Sequence, residues 1–356
     1  MQVTASHGPD AVSGIIPELR QQIRKMTEHC NTYKGAEATR SLFQLITTTA
    51  LFFAAIGLML FYGGASLLLI PVAAGLLVRL FIIQHDCGHG SFFRSRWAND
   101  LTGRFLSVLT VTPYDFWRRA HNMHHAGSGN LHRRGIGSID TLTVEEYANL
   151  SPSRRFAYRM YRHPFFLLVL GTPLHVLLLQ RLPPLSPDSF IKDYRCMSFD
   201  KSWPSILLLN IAIVLFYGAI AAIAGWQATL LVFLPVITMT AWIGGWLFFI
   251  QHQFEDTHWS GEQDWNFHEA AVLGSSYYVL PKILQWFTGN IGLHHIHHLC
   301  PAIPNYRLQE CLDASNDLRM MNRMTISQSL KCIWWALWDE KQKKLVSFRD
   351  LKQVTP

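Results

Sequence analysis

Three histidine clusters carry the chemistry of this sequence. His85 and His89 form an HxxxH pattern, and His121, His124 and His125 form HxxHH. His294, His297 and His298 form a second HxxHH that also encloses His295. Spacings of three and four put imidazoles on one face of a helix, about 5–6 Å apart, close enough to share a metal ion. With 17 histidines in 356 residues, a chance HxxHH is expected roughly 0.04 times per chain, so two such boxes are not accidental. The first box differs from the zinc-protease HExxH: Asp86 holds its second position, and no glutamate stands there to act as base. Eight neutral imidazoles exceed what one tetrahedral or octahedral ion takes, so two ions are implied. Imidazole suits iron, copper, zinc and nickel alike, which leaves the metal open.

The elements that must hold these histidines are apolar. Only 15% of residues are charged and 13% are aromatic, against a charged share of about 25% in ordinary soluble domains. Four long apolar runs occur, Leu45–Tyr62, Leu67–Ile83, Ile206–Ala224 and Thr229–Ile250. At about 1.5 Å per residue each matches a hydrocarbon core of about 30 Å. Uncharged turns at 63–66 and 225–228 join the runs in pairs, and Arg79 is the one Lys or Arg of 31 that lies inside a run. The positive-inside rule therefore predicts two helical hairpins, with both termini and the long middle segment on the cytoplasmic side.

The expected fold is all-α. Residues 1–44 form a cytoplasmic N-terminal segment, with no apolar run of the signal-peptide kind. Residues 45–330 form the membrane domain, whose four transmembrane helices carry a cytoplasmic helical cap that holds a di-metal site. Residues 331–356 form an amphipathic, basic tail. There, Trp334, Trp335 and Trp338 before the Lys341–Lys344 run suit an aromatic anchor at headgroup level, or equally an amphipathic helix packed on the cap. A fifth apolar stretch, Phe165–Leu179, is broken by Pro173 and followed by Pro183, Pro184 and Pro187. It is expected to lie in the interface or to re-enter, because a fifth crossing would put the two halves of the chain on opposite sides.

The net charge of +7 is mostly topological on this reading. No aromatic–basic recognition motif or zinc finger accompanies it, which argues against nucleic acid as a partner. The six cysteines include no CxxC pair, so reduced thiols are expected in place of a disulfide framework.

Spans, topology and boxes together resemble the integral-membrane fatty acid desaturase family, whose pattern is HxxxH, HxxHH and HxxHH. The likeness covers residues 40 to 330 or so. The stretches His85–Phe93 (HDCGHGSFF), Asn130–Thr143 (NLHRRGIGSIDTLT), Gln251–Thr257 (QHQFEDT) and Gly289–Leu308 (GNIGLHHIHHLCPAIPNYRL) are similar to the bacterial acyl-lipid branch that includes Δ12/ω6 desaturases. His132, His258 and Cys300 depart from that branch, and none is a box position. The resemblance implies two iron ions held by the eight box histidines and by one more near the end of the fourth span, a place that His252 fits. His295 is off the pattern and stays outside the set. A bacterial inner-membrane location goes with the same resemblance.

Ligating imidazoles commonly donate their second ring N–H to a carboxylate or carbonyl. Asp86, inside the first box, is a candidate for such support. Asn290, four residues before His294, is placed to reach a metal-bound water or to cap a helix. An unactivated methylene is neither acidic nor electrophilic, so no catalytic side chain beyond the ligands is expected, and the metal centre with O2 must carry the difficult step. The expected reaction is insertion of a cis double bond into an acyl chain, at Δ12 of an oleoyl group on a membrane glycerolipid. The alternative is a hydroxylase or ketolase of the same histidine-box type. Without a Rossmann fingerprint, an iron–sulfur cysteine pattern or a haem-binding extension, the chain needs an external electron donor, an acidic carrier of the ferredoxin or cytochrome b5 kind. Arg118, Arg119, Arg133 and Arg134 suit its docking surface.

Overall fold

The computed structural model describes residues 9–182 and 199–351. Pro183, Pro184 and Pro187, which follow the fifth apolar stretch, lie outside the described residues. The fold is mostly helical, 70% of the described residues. Among the described residues, four helices are long and apolar enough to cross a membrane: Ala38–Tyr62, Gly64–His89, Ser202–Ala224 and Trp226–His252. Each is longer than the apolar run that predicts it, because a helix keeps satisfying its backbone hydrogen bonds after its side chains turn polar. The extra turns matter here. They carry span two out to His85 and His89, and span four out to His252.

Gly63 (φ 54) separates spans one and two, and Gly225 (φ 85) separates spans three and four. A reversal within one residue needs positive φ, which glycine reaches without steric cost. Phe61 and Ile223, beside these reversals, are 89% and 88% exposed, as suits side chains that face lipid. Phe52, Met59, Leu77, Ile83 and Val236 lock spans one, two and four together. A second cluster, with Ile23, Met26, Ile296 and Leu308, packs the N-terminal helix Pro9–Asn31 onto the cap.

The fifth apolar stretch belongs to a bent pair, Pro152–Arg162 and Phe165–Arg181, with 53° between the two pieces. That geometry is a broken span or a re-entrant loop. The second piece lies along span four, where Trp242 Nε1 donates to the Val169 carbonyl at 2.9 Å.

Among the described residues, five strands of two or three residues interrupt the helices: β1 (Leu142–Thr143), β2 (Tyr277–Tyr278), β3 (Arg323–Met324), β4 (Leu337–Asp339) and β5 (Lys344–Val346). β2 and β3 pair in parallel. The others lie in the C-terminal tail or pair with it. β4 and β5 form an antiparallel hairpin, and β4 joins β1 in parallel. Trp338 is buried against Trp259 and Leu345 in the cap, and Trp334 stays exposed. Strands this short form because partners from distant parts of the chain cover them, a condition that local patterning does not reveal.

Candidate metal centre

Four elements bring the histidines together. Span two ends with His85 and His89, and the helix Tyr114–Gly127 carries His121, His124 and His125. Span four ends with His252, and the short helix His294–Leu299 carries His294, His297 and His298. Their ring nitrogens fall into two groups, within each of which the candidate donor atoms all lie within 4.8 Å of one another. The first group is His85, His89, His121, His125 and His297; the second is His124, His252, His294 and His298. All nine residues singled out in the sequence are in one group or the other, and His295 is in neither.

Helical spacing accounts for part of this division. His121 and His125, one turn apart, share the first group, and His124 turns to the second. In the third box His294 and His298 share the second group, and His297 turns to the first. Each HxxHH helix therefore serves both groups.

The donor set fits metal ions. His125 Nε2 lies 3.1 Å from His121 Nε2 and 3.0 Å from His297 Nε2. His252 Nε2 lies 3.1 Å from His124 Nε2 and 3.0 Å from His294 Nε2. Two nitrogens bound at right angles to one ion at about 2.1 Å would be about 3.0 Å apart. His252 Nδ1 donates to the Gly274 carbonyl at 3.0 Å, which leaves its Nε2 as a lone pair aimed at two other imidazoles. Lone pairs so placed repel one another unless a cation lies between them. Burial, reinforced by neighbouring imidazoles, holds His121, His124, His125, His294, His297 and His298 well below the ordinary imidazole range. The neutral, ligating form is the one this site favours.

Around the histidines, Asp86 stands where the sequence suggests support. Its Oδ1 is 3.2 Å from His85 Nδ1, and its Oδ2 accepts both the backbone and side-chain N–H of Asn305. Asn290 has φ 58, and its amide donates to the Asn305 carbonyl at 3.0 Å. It braces the segment that follows the third box. Two supports escaped the sequence. Trp117 stacks on His121 at 4.6 Å and 13°, and the spacing of one helical turn was its available signal. Asn305 had none, because it meets Asp86 only through the tertiary fold.

The arginines expected to receive an electron carrier are largely engaged within the chain. Arg118 pairs with Asp100, Arg133 with Glu262 and Arg134 with Glu146. Arg119 is exposed. Arg79, the charge within span two, lies over the Trp286 ring at 4.4 Å and donates to the Trp286 carbonyl. A narrow cavity of about 20 Å³, room for about one water, lies beside the second histidine group, with His124, His252, Phe248, Gln253, His258 and Trp259 among its walls.

The family model for fatty acid desaturases matches residues 64–325. A fatty acid desaturase of Bacillus subtilis (strain 168) is 40% identical over 336 residues, 93% of this chain and 92% of the relative. An sn-1 acyl-lipid omega-3 desaturase (ferredoxin) of Nostoc sp. (strain 36) is 27% identical over 265 residues, 73% of this chain and 69% of the relative. An sn-1 oleoyl-lipid 12-desaturase of Anabaena variabilis is 26% identical over 239 residues, 65% of this chain and 63% of the relative. With the family's pattern along most of its length, the chain belongs to the fatty acid desaturase family and is an oxidoreductase.

Proposed function

We propose that the chain is an O2-dependent, di-iron acyl-lipid desaturase that inserts a cis double bond at Δ12 of an oleoyl group on a membrane glycerolipid. The observation that carries this reading is the division of nine histidines into a group of five and a group of four at the ends of spans two and four. His85, His89, His121, His125 and His297 would hold one iron, and His124, His252, His294 and His298 the other.

Acid–base chemistry by side chains cannot remove hydrogen from an unactivated methylene. When bound and reduced, a pair of iron ions supplies the O2 chemistry that the chain's own residues lack. The overall balance uses one O2, two electrons, two protons and two substrate hydrogens, and yields the alkene and two waters. What the chain contributes is position. The Gly274 carbonyl fixes the His252 tautomer, Asp86 steadies the end of span two, and Trp117 restrains the His121 ring. Phe248 and Trp259 stand beside the second group, where their apolar rings favour the exclusion of water. Neighbouring methylenes are chemically alike, so the position of the chain against the site decides which carbon reacts.

Relatives support the finer parts of the reading. Those from Anabaena variabilis and Synechocystis sp. (strain ATCC 27184 / PCC 6803 / Kazusa) are named sn-1 oleoyl-lipid 12-desaturases. The Nostoc relative named with ferredoxin supports an external, acidic iron–sulfur donor. The distribution of Lys and Arg supports both termini in the cytoplasm, and the likeness to a Bacillus subtilis relative supports a bacterial inner-membrane location.

The test is expression in a host that lacks polyunsaturated lipids, with mass spectrometry of double-bond positions. Linoleate should accumulate. A hydroxylated fatty acid as the sole product would overturn the reaction, and a new double bond elsewhere would overturn the regiochemistry alone.

A further inference from the structure

We propose that Arg162 is the positioning residue of the second histidine group: bound to Gln253, its guanidinium sets the end of span four so that His252 meets His124 and His294. The inference rests on the two-metal reading above and adds a residue that no histidine pattern points to.

His252 is the last helical residue of span four, and a helix end has unsatisfied carbonyls and little intrinsic rigidity. One side of this end is tied to the strand and loop before the third box. Gln251 donates to the Ile291 carbonyl at 3.0 Å, the Ser276 N–H donates to the Gln251 carbonyl at 3.0 Å, and His252 donates to Gly274. The other side is tied through Gln253, which is 2% exposed. Its Oε1 accepts from Arg162 Nη2 at 2.7 Å, and its amide donates to Thr141 Oγ1 at 3.2 Å.

Arg162 is 4% exposed. The same guanidinium donates to the Trp335 carbonyl at 2.8 Å, to Thr141 Oγ1 at 3.2 Å and to the Asp140 carbonyl at 3.4 Å. It sits at the 53° bend into the segment that runs along span four. One side chain thus links the bend, the loop at 140–141, the segment leading into β4, and the residue after His252. Burying a guanidinium is costly unless its donors are used, and only a planar fork serves four acceptors spread this way; a lysine ammonium would not.

The test uses the full-length protein in detergent or nanodiscs, loaded with 57Fe, with metal content and site-resolved Mössbauer spectra as readouts. Arg162→Met and Gln253→Met should weaken one of the two iron sites by about 10–100-fold, the range for groups that orient a ligand. The other site should keep its spectrum. Arg162→Lys should fail to restore the weakened site. If both variants keep two iron sites with unchanged spectra, the inference falls. It falls equally if both sites are lost together with the melting transition, which a purely structural role would produce. A wild-type protein that binds no iron at the histidines would instead sink the two-metal reading on which the inference rests.

Discussion

Asp86 and Asn305, 219 residues apart in sequence, meet at a single carboxylate oxygen. Asp86 Oδ2 accepts the Asn305 backbone N–H at 2.7 Å and its side-chain amide at 2.8 Å. Gln44 of span one donates to Asn305 Oδ1 at 2.8 Å. The end of span two, the segment after the third box and span one are therefore tied at one buried point, with His85 on the other carboxylate oxygen.

Replacing Asp86 by Ala leaves two buried donors of Asn305 without their acceptor. Hydrogen bonds to a charged group contribute about 1.5–3 kcal/mol each, so the variant should lose about 3 kcal/mol of stability or more. It should also bind iron less well at the first histidine group. Thermal unfolding in detergent and iron per chain are the measurements, and wild-type values for both would deny the contact any role.

Ala at any one of the nine grouped histidines should abolish product and reduce bound iron. His295→Ala should leave most activity and both metal sites, because its Nε2 meets the Leu318 carbonyl at 3.0 Å and its ring stacks on Tyr277, outside both groups. Product assays with metal analysis would decide. An essential His295 beside a dispensable His294 would reverse the assignment of the third box.

The metal-free protein should be sensitive to acid. Burial pushes His295 down to about 4 and holds the six grouped histidines of the cap well below the usual imidazole range. In the unfolded chain these rings take up protons near the ordinary value of about 6.5. Below that pH the unfolded state binds more protons than the folded one, so stability is lost as pH falls from about 6.5 toward 4. Melting temperatures of iron-stripped protein should drop steadily between pH 7 and pH 5. A flat profile would mean that the buried imidazoles are not neutral in the fold.

Topology can be read by labelling. The five described cysteines are buried, so new ones can report. Cysteines introduced at Ser66 and Gln227, beside the two reversals, should react only from the side opposite the histidines. Tags on both termini should be reachable only from the cytoplasm. Reaction at a cysteine near Pro183 from the outer side would turn the bent pair into a fifth crossing.

Span number and helical character followed from hydropathy, because a run of apolar side chains with no charge must lie in lipid whatever surrounds it. Membership of the candidate metal set was also legible. Spacings of three and four put His121, His124 and His125 on one side of their helix, and the family likeness added His252. Other features were not local. The tail reads as amphipathic, yet Trp338 is buried because β1 and β5 flank β4. Arg118, Arg133 and Arg134 suit a docking surface by sequence, and acids elsewhere in the chain pair with them, a relation that no local pattern shows.

The sequence by itself determined which imidazoles share a helix face, since 3.6 residues per turn is a property of the backbone alone. Which imidazoles share an ion site was decided only by tertiary structure. His297 joins His85 and His89, and His298 joins His124 and His252, because span two, span four and the two box helices converge at one level. That level depends on how far the spans overrun their apolar cores. It depends equally on the long-range contacts Asp86–Asn305, His252–Gly274 and Arg162–Gln253, which hold the helix ends in register. Contacts of this kind join groups that no periodicity relates, and they exist only once the chain has closed upon itself.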